Sequence, residues 1–227
     1  MDNTQTKPIK ISDYYFSFEN RAGRYEFLRS HFAGVFDSAK TILDVGCDEN
    51  YLKSIYGSKV FGVDIGGSPD RVVDLEKEKL SFVADASYEL VICTEVLEHI
   101  DNLHEMMDEL FRVSSRFVLI SLPNCSSTSR IRKIIMQGKN GKFYGLPFTR
   151  PIDRHKWFFS YKEIIHFMKH MATVQAASLV EMVFHYNIRY QKERRPLHLL
   201  KQFLHEITVR VFRWNNQCQD VFFLFEK

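Results

Sequence analysis

The stretch Thr41-Ile42-Leu43-Asp44-Val45-Gly46-Cys47 decides the fold, because an apolar run leads into an acidic residue and then a glycine. This order predicts a buried strand that gives way to a helix. In an open α/β sheet such a turn begins a nucleotide-type ligand site, since glycine allows close backbone approach and the helix N-terminus offers N–H groups. A second apolar run, Val60–Asp64, ends in an acid about 20 residues after Asp44, the spacing at which a carboxylate can accept ribose hydroxyls.

Strand and helix patterns alternate along the rest of the chain. Strands are predicted at 41–46, 59–64, 88–94, 115–122, 172–185 and 218–226, and helices at 21–36, 98–113 and 160–171. The first helix should bury one face that carries Tyr25, Leu28, Phe32 and Phe36. Residues 1–20 are predicted to form a loose arm. The alternation predicts an α/β protein with a Rossmann-like, doubly wound and mostly parallel sheet.

Composition indicates a globular protein. A chain of 227 residues with 45% hydrophobic residues predicts a single domain, 1–227, with a sizeable core. A net charge of +3 is too small to indicate nucleic-acid binding. The four cysteines have no paired spacing, which favours free buried thiols in a reducing compartment. With no apolar run of about 18 residues, we expect a cytoplasmic protein.

These motifs resemble those of the class I S-adenosylmethionine-dependent methyltransferases. Ile42–Cys47 is similar to the first motif of that family, Gly62–Asp64 to the second, and Tyr88–Ile100 to the region of the fourth strand. The resemblance covers residues 40–125 well and continues more loosely to the end of the chain. It implies a sheet whose last two strands form an antiparallel pair, and S-adenosylmethionine as the cofactor.

The resemblance also implies the cofactor-binding residues, which follow the predicted strand ends. They are Asp44, Gly46, Cys47, Asp64, Ile65, Asp74, Leu75 and Glu95. Asp64 would accept the ribose hydroxyls, Gly46 would permit close approach, and Asp44 would lie near the methionyl end. Asp74 either accepts from the adenine amino group or is a solvated residue in a charged run.

One tripeptide departs from the family pattern. Where the family usually has Gly-x-Gly, this chain has Asp48-Glu49-Asn50. Asn50 can adopt a left-handed conformation as glycine would. A carboxylate here could meet the ammonium group of the ligand but would repel its carboxylate. The departure keeps open a second interpretation, a non-catalytic binding or scaffold module that retains the fold.

Two positions are predicted to be catalytic, His155 and His99. Glu95, Glu98 and His99 would share one face of a helix at the carboxyl end of the fourth strand. They either shape the cofactor pocket and the helix start, or bind a divalent metal that lowers the pKa of a substrate oxygen. His155 either removes a proton from an acceptor hydroxyl or orders its loop against Trp157.

Two insertions lie outside the minimal pattern. The acceptor-side insert, 124–160, has no acid in its first part, 124–146, where the basic residues are Arg130, Arg132, Lys133, Lys139 and Lys142. The basic insert 187–216 carries an apolar stripe at helical spacing, which either lies at the inner face of a membrane or packs on the sheet or a second subunit. Nucleic acid is not an expected partner, and the oligomeric state is left open.

The acceptor is inferred from resemblance. Phe143–Pro147 and Asp153–Ser160 resemble segments of bacterial methyltransferases associated with surface-polysaccharide synthesis. This implies a sugar hydroxyl of a glycan or glycolipid precursor as the acceptor. The alternatives are a quinone-type phenol and an RNA 2′-hydroxyl.

Overall fold

The computed structural model describes residues 8–15, 18, 20–138, 140, 143–151, 153–186 and 217–227. The strands are β1 (Lys10–Tyr15), β2 (Ile42–Val45), β3 (Val60–Asp64), β4 (Arg71–Val72), β5 (Tyr88–Thr94), β6 (Ser114–Pro123), β7 (Ser178–Tyr186) and β8 (Asp220–Glu226). The helices are α1 (Arg21–His31), α2 (Ala33–Ser38), α3 (Tyr51–Tyr56), α4 (Leu103–Val113), α5 (Thr128–Gln137) and α6 (Tyr161–Val174). Short 3₁₀ turns span Gly57–Lys59 and Leu97–His99.

The described strands form one sheet in the order β1-β7-β8-β6-β5-β2-β3-β4. The neighbouring strands are parallel except that β8 is antiparallel to both β6 and β7. The predicted Rossmann-like sheet with a final antiparallel pair is therefore confirmed. Because β2 lies between β3 and β5, the carboxyl ends of these three strands meet at one edge, where open α/β sheets bind ligands.

The sheet is covered by apolar clusters on both faces. Ile42 and Leu43 are adjacent in β2 and fully buried, and they belong to different clusters because successive strand side chains point to opposite faces. The cluster around Leu43 includes side chains of α4 and α6, and that around Ile42 includes α1 and α2. The predicted buried face of residues 21–36 is confirmed, since Tyr25, Leu28, Phe32 and Phe36 are all buried.

The amino-terminal prediction needs two corrections. The predicted loose arm contains β1, which pairs in parallel with β7 from Lys10–Glu181 to Tyr15–Tyr186. The predicted helix 21–36 is two helices separated at Phe32, whose N–H donates to Leu28 O as α1 ends. The break lets Phe32 and Phe36 both remain buried in the cluster beside Ile42.

Two more boundaries differ from the predictions. The predicted strand at 172–185 begins only at Ser178, because α6 continues to Val174 and a turn with Ala177 N–H donating to Ala172 O follows it. The predicted helix at 98–113 begins only at Leu103, after the separate 3₁₀ turn Leu97–His99. Glu95 and His99 therefore do not share a regular α-helical face.

Other composition-based expectations have the following outcomes. All four cysteines are free and buried, as predicted. No helix within the described ranges is long and apolar enough to cross a membrane. The predicted amphipathic insert 187–216 lies outside the described residues, so its membrane or packing role stays a prediction.

Candidate functional site

The turn after β2 is held against the end of β3. The N–H groups of Gly46 and Cys47 both donate to Val63 O, at 2.8 and 3.2 Å. Gly46 has φ +82°, and a Cβ there would lie 2.1 Å from Val96 Cγ2. Only glycine therefore suits this position, as the sequence pattern indicated, because the turn has a positive φ and Val96 packs where a side chain would lie.

Asp64 lies at the carboxyl end of β3 and is half-buried. Its Oδ2 accepts the Asp48 N–H at 2.8 Å, and its Oδ1 accepts the Gly66 N–H at 3.1 Å. These two backbone bonds fix the orientation of the carboxylate. Each oxygen retains a second lone pair, so the group can still accept hydroxyl donors such as those of a ribose.

The departing tripeptide adopts the backbone that the glycines would provide. Asn50 has φ 53° and ψ 44°, which confirms the predicted left-handed conformation, and Asp48 has φ 50°. The Asp48 carboxylate pairs with Arg21 Nη1 at 2.5 Å, and Glu49 Oε2 accepts from Ser68 Oγ at 2.9 Å. Both carboxylates thus have partners, and the ion pair offsets the charge of Asp48.

Asp44 is fully buried beneath the turn. Its Oδ1 accepts from Tyr25 Oη at 3.3 Å, whereas Oδ2 has no hydrogen-bond partner among the described residues. Burial raises the pKa of Asp44 to about 7. An unsatisfied buried carboxylate oxygen is costly, so this position favours a ligand that supplies a donor or a positive charge.

Arg24 is a site residue that the sequence analysis missed. Its Nε is buried and has no hydrogen-bond partner in the described part of the chain. The next residue, Tyr25, donates to Asp44 Oδ1, and the positive charge of Arg24 lowers the pKa values of Asp44, Glu95 and Glu98. Arginines are common on helix surfaces, so the sequence alone does not mark Arg24 as a site residue. Its position becomes clear only from the way α1 packs on the sheet, with Tyr25 bonded to Asp44.

The remaining predicted cofactor residues occupy varied environments. Cys47 is fully buried, and burial raises the pKa of its thiol to about 12, so the thiol is neutral. Ile65 is 69% exposed just after β3, whereas Leu75 is buried in the core. Asp74 Oδ1 accepts the Glu76 N–H at 3.1 Å and Oδ2 pairs with Lys77, which accounts for the lowered pKa of Asp74. Its adenine contact stays a prediction.

Glu95 lies directly after β5, with an unusual φ of +57°. Its Oε1 accepts from Ser121 Oγ at 3.1 Å. Burial, and next the charge of Asp220, raise the pKa of Glu95 to about 8. A residue held in this backbone conformation next to a ligand-binding strand end is typical of a functional position.

The predicted metal group is formed by different residues from those expected. Glu98, His99 and His155 each offer one ligand atom, and these atoms all lie within 4.8 Å of one another, whereas Glu95 lies outside this group. The Nε2 atoms of His99 and His155 lie 3.7 and 4.0 Å from Glu98 Oε1. Two imidazoles and a carboxylate are common ligands of divalent transition-metal ions.

Glu98 is the least satisfied residue of this group. It is fully buried, and neither carboxylate oxygen has a hydrogen-bond partner within the described ranges. Burial, and next the charge of Glu95, raise the pKa of Glu98 well above its usual range. A positive charge near the imidazole nitrogens would stabilise the ionised carboxylate of Glu98 in this buried position.

Hydrogen bonds orient both histidines. Tyr144 Oη donates its proton to a hydrogen bond with Trp157 O at 3.0 Å. At 2.8 Å from His155 Nδ1 it therefore accepts a hydrogen bond from the N–H of that nitrogen. The neutral ring then keeps an unprotonated Nε2 that faces Glu98, and burial lowers the pKa of His155 to about 4. His99 Nδ1 lies 2.5 Å from Asp153 Oδ1, a carboxylate–histidine contact typical of metal ligands. The role of Tyr144 was not predicted, because no sequence pattern around it indicates that its hydroxyl contacts His155.

A Rossmann-like sheet with a glycine turn, a strand-end Asp64 and a buried carboxylate at its carboxyl edge defines a nucleotide-type cofactor-binding α/β protein. A family model described as a methyltransferase domain matches residues 18–182. The chain belongs to this methyltransferase family. No curated protein sequence matches the chain significantly.

Solved structures share the fold. A SAM-dependent methyltransferase from Archaeoglobus fulgidus has a TM-score of 0.60 and 16% identity, with 92% of this chain and 96% of that chain covered. Magnesium protoporphyrin IX methyltransferase from Synechocystis PCC 6803 with bound SAH has a TM-score of 0.54 and 15% identity, covering 91% and 84%. The small RNA methyltransferase HEN1 has a TM-score of 0.52 and 16% identity, covering 90% and 25%. The family and these structures support S-adenosylmethionine as the cofactor.

Proposed function

We propose that this chain is an S-adenosylmethionine-dependent O-methyltransferase that binds a divalent cation through Glu98, His99 and His155. The observation that carries the proposal is the fully buried Glu98 carboxylate, which has no hydrogen-bond partner among the described residues and faces two imidazole Nε2 atoms. Such a carboxylate is costly unless a positive charge compensates it.

The residues around Gly46 fit the cofactor. Gly46 lets the turn after β2 pack tightly against the end of β3, and there Asp64 can accept the ribose hydroxyls. At the methionyl end, Asp44 would accept from the ammonium group and Arg24 would donate to the carboxylate. When bound, the cofactor supplies an electrophilic methyl group on a sulfonium.

The histidine pair supports a ligand role better than a base role. Because the pKa of His155 is lowered to about 4, this residue is a weak proton acceptor at neutral pH. Its Nε2 atom is unprotonated and available as a ligand. Tyr144 and Asp153 fix the two rings through their Nδ1 atoms. A divalent cation at these nitrogens would act as a Lewis acid and lower the pKa of an acceptor hydroxyl.

The acceptor we propose is a sugar hydroxyl of a glycan or glycolipid precursor. Phe143 stacks on His155 at a ring distance of 4.4 Å, and Tyr144 Oη lies 2.8 Å from His155 Nδ1, so two aromatic residues lie against the proposed metal ligands. Positive charge is also close to them, since the Arg130 guanidinium of α5 lies 5.7 Å from the centre of the Tyr144 ring. A phosphorylated or lipid-linked sugar matches this combination of aromatic and positive groups. A quinone phenol and an RNA 2′-hydroxyl are the competing acceptors.

The test is the binding of Mn²⁺, measured by calorimetry on the full chain. We expect one site, and Glu98→Gln should weaken it at least about tenfold, because the loss of a ligand exceeds the effect of a lost outer-shell partner. Glu105→Gln is the matched control, since Glu105 is an exposed residue of α4. Equal Mn²⁺ affinity in the wild type and Glu98→Gln would contradict the proposed site.

Transfer of a labelled methyl group tests the reaction itself. Nucleotide-linked and lipid-linked sugars, a quinol and a short RNA serve as acceptors. We expect turnover with a sugar, loss with a chelator and recovery with Mg²⁺ or Mn²⁺. Turnover that survives chelation but falls by about 10²–10⁴ in His155→Ala would restore the base role. If only the RNA or only the quinol is methylated, that compound replaces the sugar as the proposed acceptor.

A further inference from the structure

An apolar surface lies next to the proposed acceptor site. We define the α5 surface as Ile131, Ile135 and Met136, which line one cavity on α5. Helix α5 has no buried residue, and Ile135 and Met136 are 75% and 72% exposed. Large apolar side chains grouped in this way are typical of an interaction site.

The charge around the α5 surface has one sign. Residues 124–152 contain no acid, and Arg132, Lys133 and Arg150 are exposed. Arg130 and Ile134 form the half-buried side of α5, so the outer side carries the apolar and the other basic residues. The surface therefore combines exposed aliphatic side chains and a methionine with positive charge, which complements an anionic surface that also has an apolar interior.

The α5 surface adjoins the site through the segment that follows α5. Arg130 of α5 lies over the Tyr144 ring at 5.7 Å, and Tyr144 Oη lies 2.8 Å from His155 Nδ1. Thr128–Gln137 begins only a few residues beyond the carboxyl end of β6, at the ligand-binding edge of the sheet. A ligand on the α5 surface would thus lie close to the residues that contact His155.

We propose that the α5 surface docks on an anionic lipid membrane. A bilayer interface accepts exposed Ile and Met side chains while its headgroups attract Arg and Lys. A nucleic acid would use the basic residues but gains little from aliphatic side chains such as Ile135. The proposal deepens the proposed function, on which it rests for the lipid-linked acceptor, because docking would bring that acceptor to the site.

The experiment is co-sedimentation of the full chain with vesicles of phosphatidylcholine alone or mixed with phosphatidylglycerol, at low and high salt. We expect binding to the mixed vesicles that weakens with salt. Ile135→Ser combined with Met136→Ser should weaken partitioning at least about tenfold, because two exposed apolar side chains leave the interface. Arg132→Glu combined with Lys133→Glu should weaken it further.

Val174→Ser is the matched control and should bind as the wild type does. Val174 is 56% exposed and ends α6, which leads to the start of β7, so it lies at the opposite edge of the sheet from α5. The apolar variants should retain the cofactor and Mn²⁺ affinities of the wild type, which separates a failure of docking from a failure of the proposed function.

Several results would overturn the docking proposal. One is wild-type protein that stays in the supernatant with every vesicle. A second is binding that the changes at Ile135 and Met136 leave intact, which would assign the contact to another part of the chain. A third is a dimer in analytical ultracentrifugation that these changes dissociate. A fourth is single-stranded RNA binding that only the Arg132 and Lys133 changes abolish.

Discussion

Arg24 brings a buried guanidinium nitrogen, which has no hydrogen-bond partner in the part of the chain that the structure describes, close to a group of carboxylates. We expect Arg24→Met to weaken the affinity for S-adenosylhomocysteine by about tenfold or more, because a charge-assisted hydrogen bond of about 1.5–3 kcal/mol to the ligand carboxylate is lost. Arg24→Lys should recover part of the affinity. Calorimetry measures the effect.

Arg29→Met is the control for this change. Arg29 lies on the same helix but is exposed and pairs with Glu26 at 2.9 Å. Its affinity should equal that of the wild type. If Arg24→Met binds as tightly as Arg29→Met while circular dichroism shows both folded, the carboxylate of the ligand has another partner.

Asp44 should make cofactor affinity depend on pH. Burial raises its pKa to about 7 in the free protein, whereas an ammonium group on the ligand favours the ionised form. Binding therefore lowers the pKa of Asp44 and releases a proton, so affinity should rise as the pH increases from 5 to 7, by at most about tenfold per unit, and then level off.

Asp44→Asn isolates the contribution of Asp44 to this pH dependence, because asparagine has nearly the same shape as aspartate but does not titrate. The ligand and Glu95 titrate in both proteins, so the difference between the two pH profiles belongs to Asp44. Parallel profiles from pH 5 to 8 in calorimetry would show that Asp44 does not change its ionisation on binding.

Two loops at the ligand-binding edge interlock, and this contact depends on a glycine. The loop after β3 places Gly67 so close to the loop after β2 that a Cβ would lie 2.3 Å from Asp48 O. Gly67 also has φ +76°, and the next residue, Ser68, donates its N–H to Asp48 O at 2.7 Å. Loop position, and with it the carboxylate of Asp64, therefore depends on the absence of a side chain here.

Gly67→Ala should lower the free energy of unfolding by about 1–3 kcal/mol, the cost of a strained backbone conformation, and should weaken cofactor binding. Gly34→Ala is the opposite case, since Gly34 lies in α2 with nothing within 4 Å of its Cβ position. It should stabilise the protein by about 0.5–1 kcal/mol. Urea denaturation measures both, and equal stability of the two variants would contradict the interlocked loops.

The elements that the sequence predicts are those whose pattern is decided locally. The strands β2, β3 and β5 are covered on both faces, so they appear as nearly continuous apolar runs with an acid at or near the end. The edge strand β1 has no fully buried residue, and only its pairing with β7 makes it a strand. No local pattern could show that pairing.

Some residues of the site could likewise be predicted from local sequence patterns, and others could not. Asp44, Gly46 and Asp64 are predictable because strand ends and turns have local signatures. The placing of His155 beside Glu98 and His99 depends on the path of the chain after β6, where the Lys156 N–H donates to Glu98 O at 2.8 Å. The guanidinium of Arg24 likewise reaches the site through the packing of α1, which hydrophobic periodicity cannot orient.

Over the whole molecule, the proposed cofactor residues come from α1, β2 and β3 and from the turn after β5, which are separate in sequence. A ligand that contacts all of them binds the folded state alone, so it must stabilise that state. The same reasoning distinguishes an enzyme from a non-catalytic scaffold, the two interpretations that the tripeptide Asp48-Glu49-Asn50 left open. A scaffold that no longer binds the cofactor would not be stabilised by adding it.

We therefore expect S-adenosylhomocysteine at about 100 times its Kd to stabilise the fold by about 2.7 kcal/mol. For a chain of this length the melting temperature should rise by roughly 5–11 °C. Asp64→Ala should reduce the shift, because the ribose hydroxyls lose a charged acceptor, whereas Val174→Ser should keep it. Thermal-shift fluorimetry measures all three proteins. No shift with either S-adenosylmethionine or S-adenosylhomocysteine, at millimolar ligand and in a cooperatively unfolding wild type, would favour the non-catalytic scaffold, because the ion pair of Asp48 with Arg21 would then preserve the loop without a ligand to bind.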